Sequence, residues 1–242
     1  MLAVVSFCAL VAVIIGIHEG GHLLAARWLK VNPEQFAIGM GPVLWQRYDS
    51  RGMAVQIRLL PVGGFVDIPP EVMRAIPPLA RAFLYLAGPA ANLITGAALM
   101  FALGVAHGHG AGETIRLVGG VTVDLFSGMF EAIGSIVSSA HASDLGGPVT
   151  VANFAADAVR QAADTGSASP ILILLGIVSI SIGAINLLPI PILDGGQICA
   201  CLVERFTGPF HPRVERALNA IGLVLVGGIM LAAICSDIAR LL

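Results

Sequence analysis

Four long apolar stretches divide this chain, and each is long enough to cross a bilayer as a helix, which takes roughly 20 residues. They cover about residues 1–29, 82–106, 169–193 and 217–236. The first stretch could instead be a signal peptide. Against this, its start has no basic residues, and His18 and Glu19 stand where a small-residue cleavage site belongs. The pattern therefore predicts four membrane-spanning helices.

A different pattern occupies residues 36–68. Apolar and polar residues alternate from Val55 to Leu59, as in a half-buried strand, and turn-forming residues at 49–52 precede them. This predicts a β-hairpin. Non-helical backbone is stable at membrane depth only where protein or a water-filled cavity satisfies its polar groups. We therefore expect the hairpin at the cytoplasmic face of the membrane or in a cavity there.

The connection between the second and third stretches contains helical periodicity. Leu125, Met129, Ile133 and Ile136 fall on one face, as in an amphipathic helix lying in the membrane interface. A helix packed on the protein itself fits the same periodicity equally well.

Composition changes this picture from a helical chain to a membrane protein. Of the 242 residues, 57% are hydrophobic and 12% charged, whereas a soluble domain carries about a quarter charged residues. Much of the surface must therefore face lipid, and the predicted fold class is an α-helical polytopic membrane protein. The net charge of -2 gives no case for a nucleic-acid partner.

The basic residues predict an orientation. Ten of the 13 Lys and Arg residues lie in or beside the connections between the first and second stretches and between the third and fourth. The positive-inside rule makes these connections cytoplasmic, so both termini are expected outside.

The strongest chemical signal is the sequence HEGGH at 18–22. Residues four apart lie on one face of a helix, so His18 and His22 can point at one metal ion, and Glu19 can accept a proton from water. The two intervening glycines allow another backbone or a substrate to approach closely. The alternative is a pair of core histidines with a salt-bridged glutamate. Ionisable groups inside an apolar span are costly and usually functional, which favours the metal site.

A third protein ligand is needed, because catalytic zinc sites usually have three and one open position. Asp194 is the acidic candidate in apolar surroundings. Pro189 and Pro191 precede it and break the third helix. Its alternative role is that of a helix-capping aspartate.

Taken together, these motifs resemble the site-2 protease family of intramembrane zinc metalloproteases, in particular its bacterial members. The matching segments are HEGGH at 18–22, FAIGMGPVLW at 36–45, LLPVGGFV at 59–66, AGPAAN at 87–92, GGPVTVA at 146–152 and NLLPIPILDGG at 186–196. They follow the family order along nearly the whole chain, which implies one transmembrane metalloprotease domain over 1–242.

The resemblance implies roles for five residues. His18, His22 and Asp194 would bind Zn²⁺, and Glu19 would be the catalytic base. Asn186 would hold the substrate or stabilise the tetrahedral intermediate. Separately, Asn92 in AGPAAN would lie near the active region, although hydrogen bonding between spans is an equally good role for it.

The family also implies a substrate and a location. The substrate would be a single-span membrane protein, such as an anti-sigma factor, or a remnant signal peptide. The enzyme would lie in the bacterial cytoplasmic membrane. Because HEGGH comes near the predicted cytoplasmic end of the first span, we expect the active site to face the cytoplasm. A helical substrate must unwind locally before cleavage, and we hypothesise that the strand at 55–59 is an edge strand that pairs with it. The sequence does not predict an oligomeric state.

One departure from the family concerns size. Many bacterial relatives carry PDZ domains in the outer connection after the second span, where this chain has only about 60 residues (107–168). We therefore expect a compact form without a PDZ domain, whether that domain is naturally missing or was removed from a longer protein.

Two other functions fit part of the pattern. A zinc transporter would bind metal near the membrane midplane, but no inverted repeat is visible, and a glutamate beside ligand histidines suits hydrolysis better. A catalytically silent scaffold would explain the fold, but every catalytic residue type is present.

Overall fold

The computed structural model describes residues 1–137 and 148–239. Its elements, in chain order, are α1 (Leu2–Trp28), β1 (Gln35–Tyr48), β2 (Ala54–Asp67), α2 (Pro70–Ala75), α3 (Pro78–Ala106), α4 (Ala111–Val137), α5 (Pro148–Thr165), α6 (Ser169–Asn186), α7 (Asp194–Thr207) and α8 (Pro212–Ala239).

Four of the described helices, α1, α3, α6 and α8, are long and apolar enough to cross a membrane. This confirms the predicted spans and the class of multi-pass helical membrane protein. The third helix ends at Asn186 rather than near 193, because Pro189 and Pro191 cannot continue it.

Strands β1 and β2 form one small sheet after α1, as predicted. Residues 43–48 run antiparallel to 54–58, which is the expected hairpin, while residues 35–38 pair with 54–57 in the same direction and with 64–67 in the opposite direction. Each strand bends between its two runs at a glycine with positive φ, Gly39 (φ 92) in β1 and Gly63 (φ 72) in β2.

This register corrects the expectation that 55–59 is an edge strand. Residues 54–57 have a paired neighbour on each side, 35–38 and 43–48. Their backbone groups are therefore used within the sheet, and an added strand must pair elsewhere. Among the described pairings, residues 64–67 have a neighbour on one side alone.

The connection between α3 and α6 contains two helices within the described residues, α4 and α5. The predicted amphipathic segment lies in α4, where Leu125 is half-buried and Ser127 is exposed. The first two residues of the GGPVTVA segment lie outside the described residues.

The chain forms two compact units. In the first (Met1–Leu10, Leu93–Ile185, Leu223–Leu242), α3 and α6 cross closely at Gly96, where a Cβ would lie 2.6 Å from Gly176 O. Asp237 on α8 accepts hydrogen bonds from the backbone N–H groups of Val149 and Thr150 at the start of α5.

The second unit (Val11–Asn92, Asn186–Gly222) contains the motif residues. Its apolar core is a cluster of buried side chains from α1, α3 and the connecting residues between the elements that separate them. The members are Ala26, Val31, Ile68, Ile76 and Leu84. This core fixes α1 against α3 immediately beside the HEGGH segment.

Candidate metal centre

Helix α1 carries the histidines and the glutamate on one turn. The ring centroids of His18 and His22 are 4.8 Å apart, and the two rings are nearly perpendicular. His18 is 9% exposed, Glu19 8% and His22 7%. Three ionisable side chains are thus withdrawn from solvent together, which is costly unless their charges or lone pairs are used.

Asp194 reaches the same place from a different part of the chain. It is the first residue of α7, and the cap position is taken by Leu193, which makes no side-chain capping hydrogen bond. The capping role considered for Asp194 is therefore wrong. Residues 187–193, between α6 and α7, fold back on the start of α7. Gly195 and Gly196 allow this, since a Cβ at either would overlap the carbonyl of Leu187 or Ile190.

Three potential ligand atoms converge. Asp194 Oδ2 lies 3.0 Å from His18 Nε2 and 3.4 Å from His22 Nε2, and the two Nε2 atoms are 3.2 Å apart. Asp194 Oδ2 is buried and accepts no hydrogen bond within the described part of the chain. A buried carboxylate oxygen without a hydrogen bond is unstable unless a cation satisfies it.

These separations fit a zinc ion. Bonds of about 2.0–2.2 Å at tetrahedral angles put ligand atoms about 3.4 Å apart. His22 Nδ1 lies 2.8 Å from the carbonyl oxygen of Leu84, which can only accept, so Nδ1 carries the ring proton and Nε2 presents a lone pair. Such a lone pair beside a carboxylate oxygen needs a cation between them. The residues present therefore suit Zn²⁺.

All five residues singled out from the sequence line one cavity of about 310 Å³. Glu19 and Asn186 are in its wall with His18, His22 and Asp194. The remaining wall residues are Gly64, Val66, Met73, Leu84, Tyr85 and Ile192. A second cavity of about 430 Å³ shares Met73 and Tyr85 with it.

Sequence reasoning missed two contributors, both on α3. The carbonyl of Leu84 bonds His22, and a Cβ at Gly88 would lie 2.6 Å from His22 Cε1 and closer still to Nε2. The Leu84 contact is made by backbone and leaves no trace in the residue type, whereas Gly88 stands in the AGPAAN segment. Asn92 lies 3.3 Å from His18 Nδ1, so its two considered roles, hydrogen bonding between spans and proximity to the site, are one contact.

A buried His–His–carboxylate group beside a glutamate, in a chain with four helices long and apolar enough to span a bilayer, is the arrangement expected of a membrane zinc metalloprotease. The family model of Peptidase family M50 matches residues 6–229. The chain belongs to this family, the site-2 proteases, and is a zinc metallopeptidase of that type.

Individual relatives agree with this. The chain is 25% identical to a Nostoc sp. protein provisionally named a zinc metalloprotease, over 358 aligned positions that cover 99% of this chain and 97% of the relative. It is 34% identical to the "Regulator of sigma E protease" of Haemophilus influenzae and 36% identical to the "Protease RseP" of Yersinia pestis. Each of these two alignments has 101 residues and covers 37% of this chain, with 23% and 22% of the relative.

Proposed function

We propose that this protein hydrolyses a peptide bond within or near the transmembrane segment of a membrane protein substrate. His18, His22 and Asp194 hold Zn²⁺, and Glu19 is the catalytic base. The observation that carries the proposal is the convergence of two Nε2 atoms and one carboxylate oxygen within 3.4 Å of one another. When bound, the ion supplies Lewis-acid polarisation of the scissile carbonyl and a lowered pKa for water.

Glu19 moves the proton in this proposal. Its carboxylate lines the cavity beside both imidazoles, so it accepts a proton from the attacking water and later donates it to the leaving amine. Asn186 lies in the same wall, and its side-chain amide is the group suited to donate a hydrogen bond to the oxyanion of the tetrahedral intermediate. Burial of the site strengthens both interactions.

The substrate must present an extended segment, because a helix keeps its carbonyls in internal hydrogen bonds. The strand run 64–67 meets this need better than 55–59, since it has a paired neighbour on one side and since Gly64 and Val66 line the cavity. A Cβ at Gly64 would lie 2.8 Å from Glu19 Cγ, so the backbone of this run reaches the catalytic base. We infer that substrate adds as a strand along 64–67.

The proposed substrate is a single-span membrane protein. The name of the Haemophilus influenzae relative includes regulation of sigma E, which supports an anti-sigma factor as one candidate, and a remnant signal peptide is the other. The Nostoc sp. alignment has 358 positions against 242 residues here, so at least 116 positions lie opposite gaps in this chain. This supports a compact form that lacks the family's PDZ domain.

The proposed orientation puts the site toward the cytoplasm. It rests on the ten basic residues that lie in or beside the connections from α1 to α3 and from α6 to α8. Water then reaches Glu19 from the cytoplasmic side.

The decisive experiment compares membrane proteomes of cells carrying wild-type protein and Glu19→Gln. The wild type should yield fragments cut within a span, and Glu19→Gln should yield none while keeping its zinc, measured by elemental analysis of purified protein. Glu34→Gln, an exposed change of the same chemistry, should behave as wild type. If Glu19→Gln cleaves normally, or if it still supports zinc transport into vesicles, the proposed role is wrong.

Strand addition has its own test. A photocrosslinking residue at Val66, in a Glu19→Gln background that retains substrate, should capture a bound substrate. The same residue at Trp45, on the other outer run of the sheet, should not. Capture at position 45 alone would place the substrate on the wrong edge for this proposal.

A further inference from the structure

One face of α3 lies against the histidine pair. Leu84, Gly88 and Asn92 are spaced by four residues, so they form a single row along the helix. Each of the three contacts or makes room for an imidazole of HEGGH. The HEGGH motif by itself assigns no metal-binding or catalytic role to these three residues of α3.

The first residue of the row, Leu84, contacts His22. The carbonyl oxygen of Leu84 accepts the Nδ1–H of His22 at 2.8 Å, although residue 84 is a helix position whose carbonyl normally bonds within the helix. A carbonyl cannot donate, so this contact permits one tautomer, with the lone pair on Nε2. Metal-binding histidines are usually held by such a partner at their second nitrogen.

The last residue of the row, Asn92, contacts His18. The amide of Asn92 is fully buried and lies 3.3 Å from His18 Nδ1, with its nitrogen as the nearest atom. Rotation of the amide about the Cβ–Cγ bond brings its oxygen to the same position, where it accepts the Nδ1–H. Only the second arrangement leaves a lone pair on His18 Nε2, the atom 3.0 Å from Asp194 Oδ2.

The middle residue of the row, Gly88, has no side chain. A Cβ at Gly88 would lie 2.6 Å from His22 Cε1 and 2.8 Å from Cδ2, so glycine lets the ring approach α3 closely enough to bond Leu84. Leu84, Gly88 and Asn92 thus act together on the placement of the two imidazole rings.

We propose that this row of α3 sets the tautomers of both zinc ligands, with Leu84 O at His22 Nδ1 and the Asn92 amide oxygen at His18 Nδ1, so that both Nε2 atoms face the ion. Asn92 is a positioning residue that acts through His18. The inference rests on the proposed ligand roles of His18 and His22.

Zinc affinity of the purified protein, measured by competition with a chromophoric chelator, tests the role of Asn92. Asn92→Ala should weaken binding about 10–100-fold, as the loss of an outer-shell partner does. Asn92→Asp should bind at or above the wild-type level, because a carboxylate can only accept from Nδ1–H. Ile94→Ala, which changes an exposed residue of the same helix, should bind as wild type.

Two results would overturn the inference. One is wild-type affinity in Asn92→Ala while His22→Ala loses zinc, and the other is an equal loss in Asn92→Asp and Asn92→Ala. If His22→Ala binds zinc like the wild type, the proposed function fails as well, so the two failures are distinguishable.

A measurement on the unchanged protein avoids any folding defect of the variants. In the zinc-loaded protein with ¹⁵N-labelled histidine, both imidazoles should show a proton on Nδ1 and none on Nε2. A proton on Nε2 of either ring would refute the proposed tautomers.

Discussion

Gly21→Ala changes the distance between α1 and α3. A Cβ at Gly21 would lie 2.8 Å from Ala91 Cβ and 2.9 Å from the carbonyl carbon of Ala87, and closer still to the Ala87 oxygen. Two of these atoms belong to α3 backbone, which cannot rotate away as a side chain can. The two helices must therefore move apart at the site.

The magnitude follows from these contacts. Ordinary carbon contacts are about 3.5–4.0 Å, so the helices must separate by roughly 1 Å. The 2.8 Å bond from His22 Nδ1 to Leu84 O would then stretch beyond hydrogen-bonding distance. Overpacking costs about 1–3 kcal/mol of stability, and loss of an outer-shell partner costs about 10–100-fold in zinc affinity.

Gly20→Ala is the matched control. A Cβ at Gly20 meets no described heavy atom within 4 Å, although it adjoins Gly21 in the same motif. Alanine favours helix by up to about 1 kcal/mol, so this variant should be as stable as wild type or more stable. Thermal unfolding of the zinc-free protein and chelator competition measure both effects. Equal stability and zinc affinity in the two variants would refute the packing argument.

Two further predictions follow from single contacts. Gly88→Ala should abolish zinc binding, because its methyl group overlaps His22, and elemental analysis of folded protein checks this; a normal zinc content would contradict it. The second concerns Asp49 at the hairpin turn, whose pKa is lowered by hydrogen bonds from the Met53 and Arg51 backbone N–H groups and by the Arg27 guanidinium. The ionised carboxylate therefore stabilises the turn fully above the unfolded pKa of about 3.9, and the effect is lost as the pH falls through the lower folded value. Hydrogen exchange should show the Met53 amide protected down to below pH 4 in wild type, whereas Asp49→Ala should be unprotected at every pH; protection in that variant would contradict the assignment.

Local pattern predicted most of the elements. The four spans follow from run length and the cost of burying charge in lipid, and the hairpin follows from alternation between turn residues. A boundary shifted where a local rule ended the helix earlier than the apolar run suggested, as at Asn186, because the helix stops before Pro189 while hydropathy continues. One helix was predicted in the connection between α3 and α6, and the described residues form two, α4 and α5, since periodicity was apparent over part of that connection.

The candidate site residues could be named from the sequence, but how they come together could not. His18, Glu19 and His22 are related by the repeat of one helix, so their common direction is already present in the sequence. Whether Asp194 meets them depends on how the segment after Asn186 folds back, and the sequence alone left a capping role open. The strand edge was mistaken for a similar reason, because alternation reports which side chains are buried and not which backbone groups have partners.

The sequence by itself therefore determined the membrane class, the apolar spans, the hairpin and the candidate site residues, because each depends on interactions within one element or with the solvent around it. Only the tertiary structure decided that Gly21 but not Gly20 faces α3, that Leu84 and Asn92 contact the imidazoles, and that three candidate ligand atoms lie within 3.4 Å of one another. These are distances between elements remote in sequence. They depend on how closely helices pack, which a single chain position does not record.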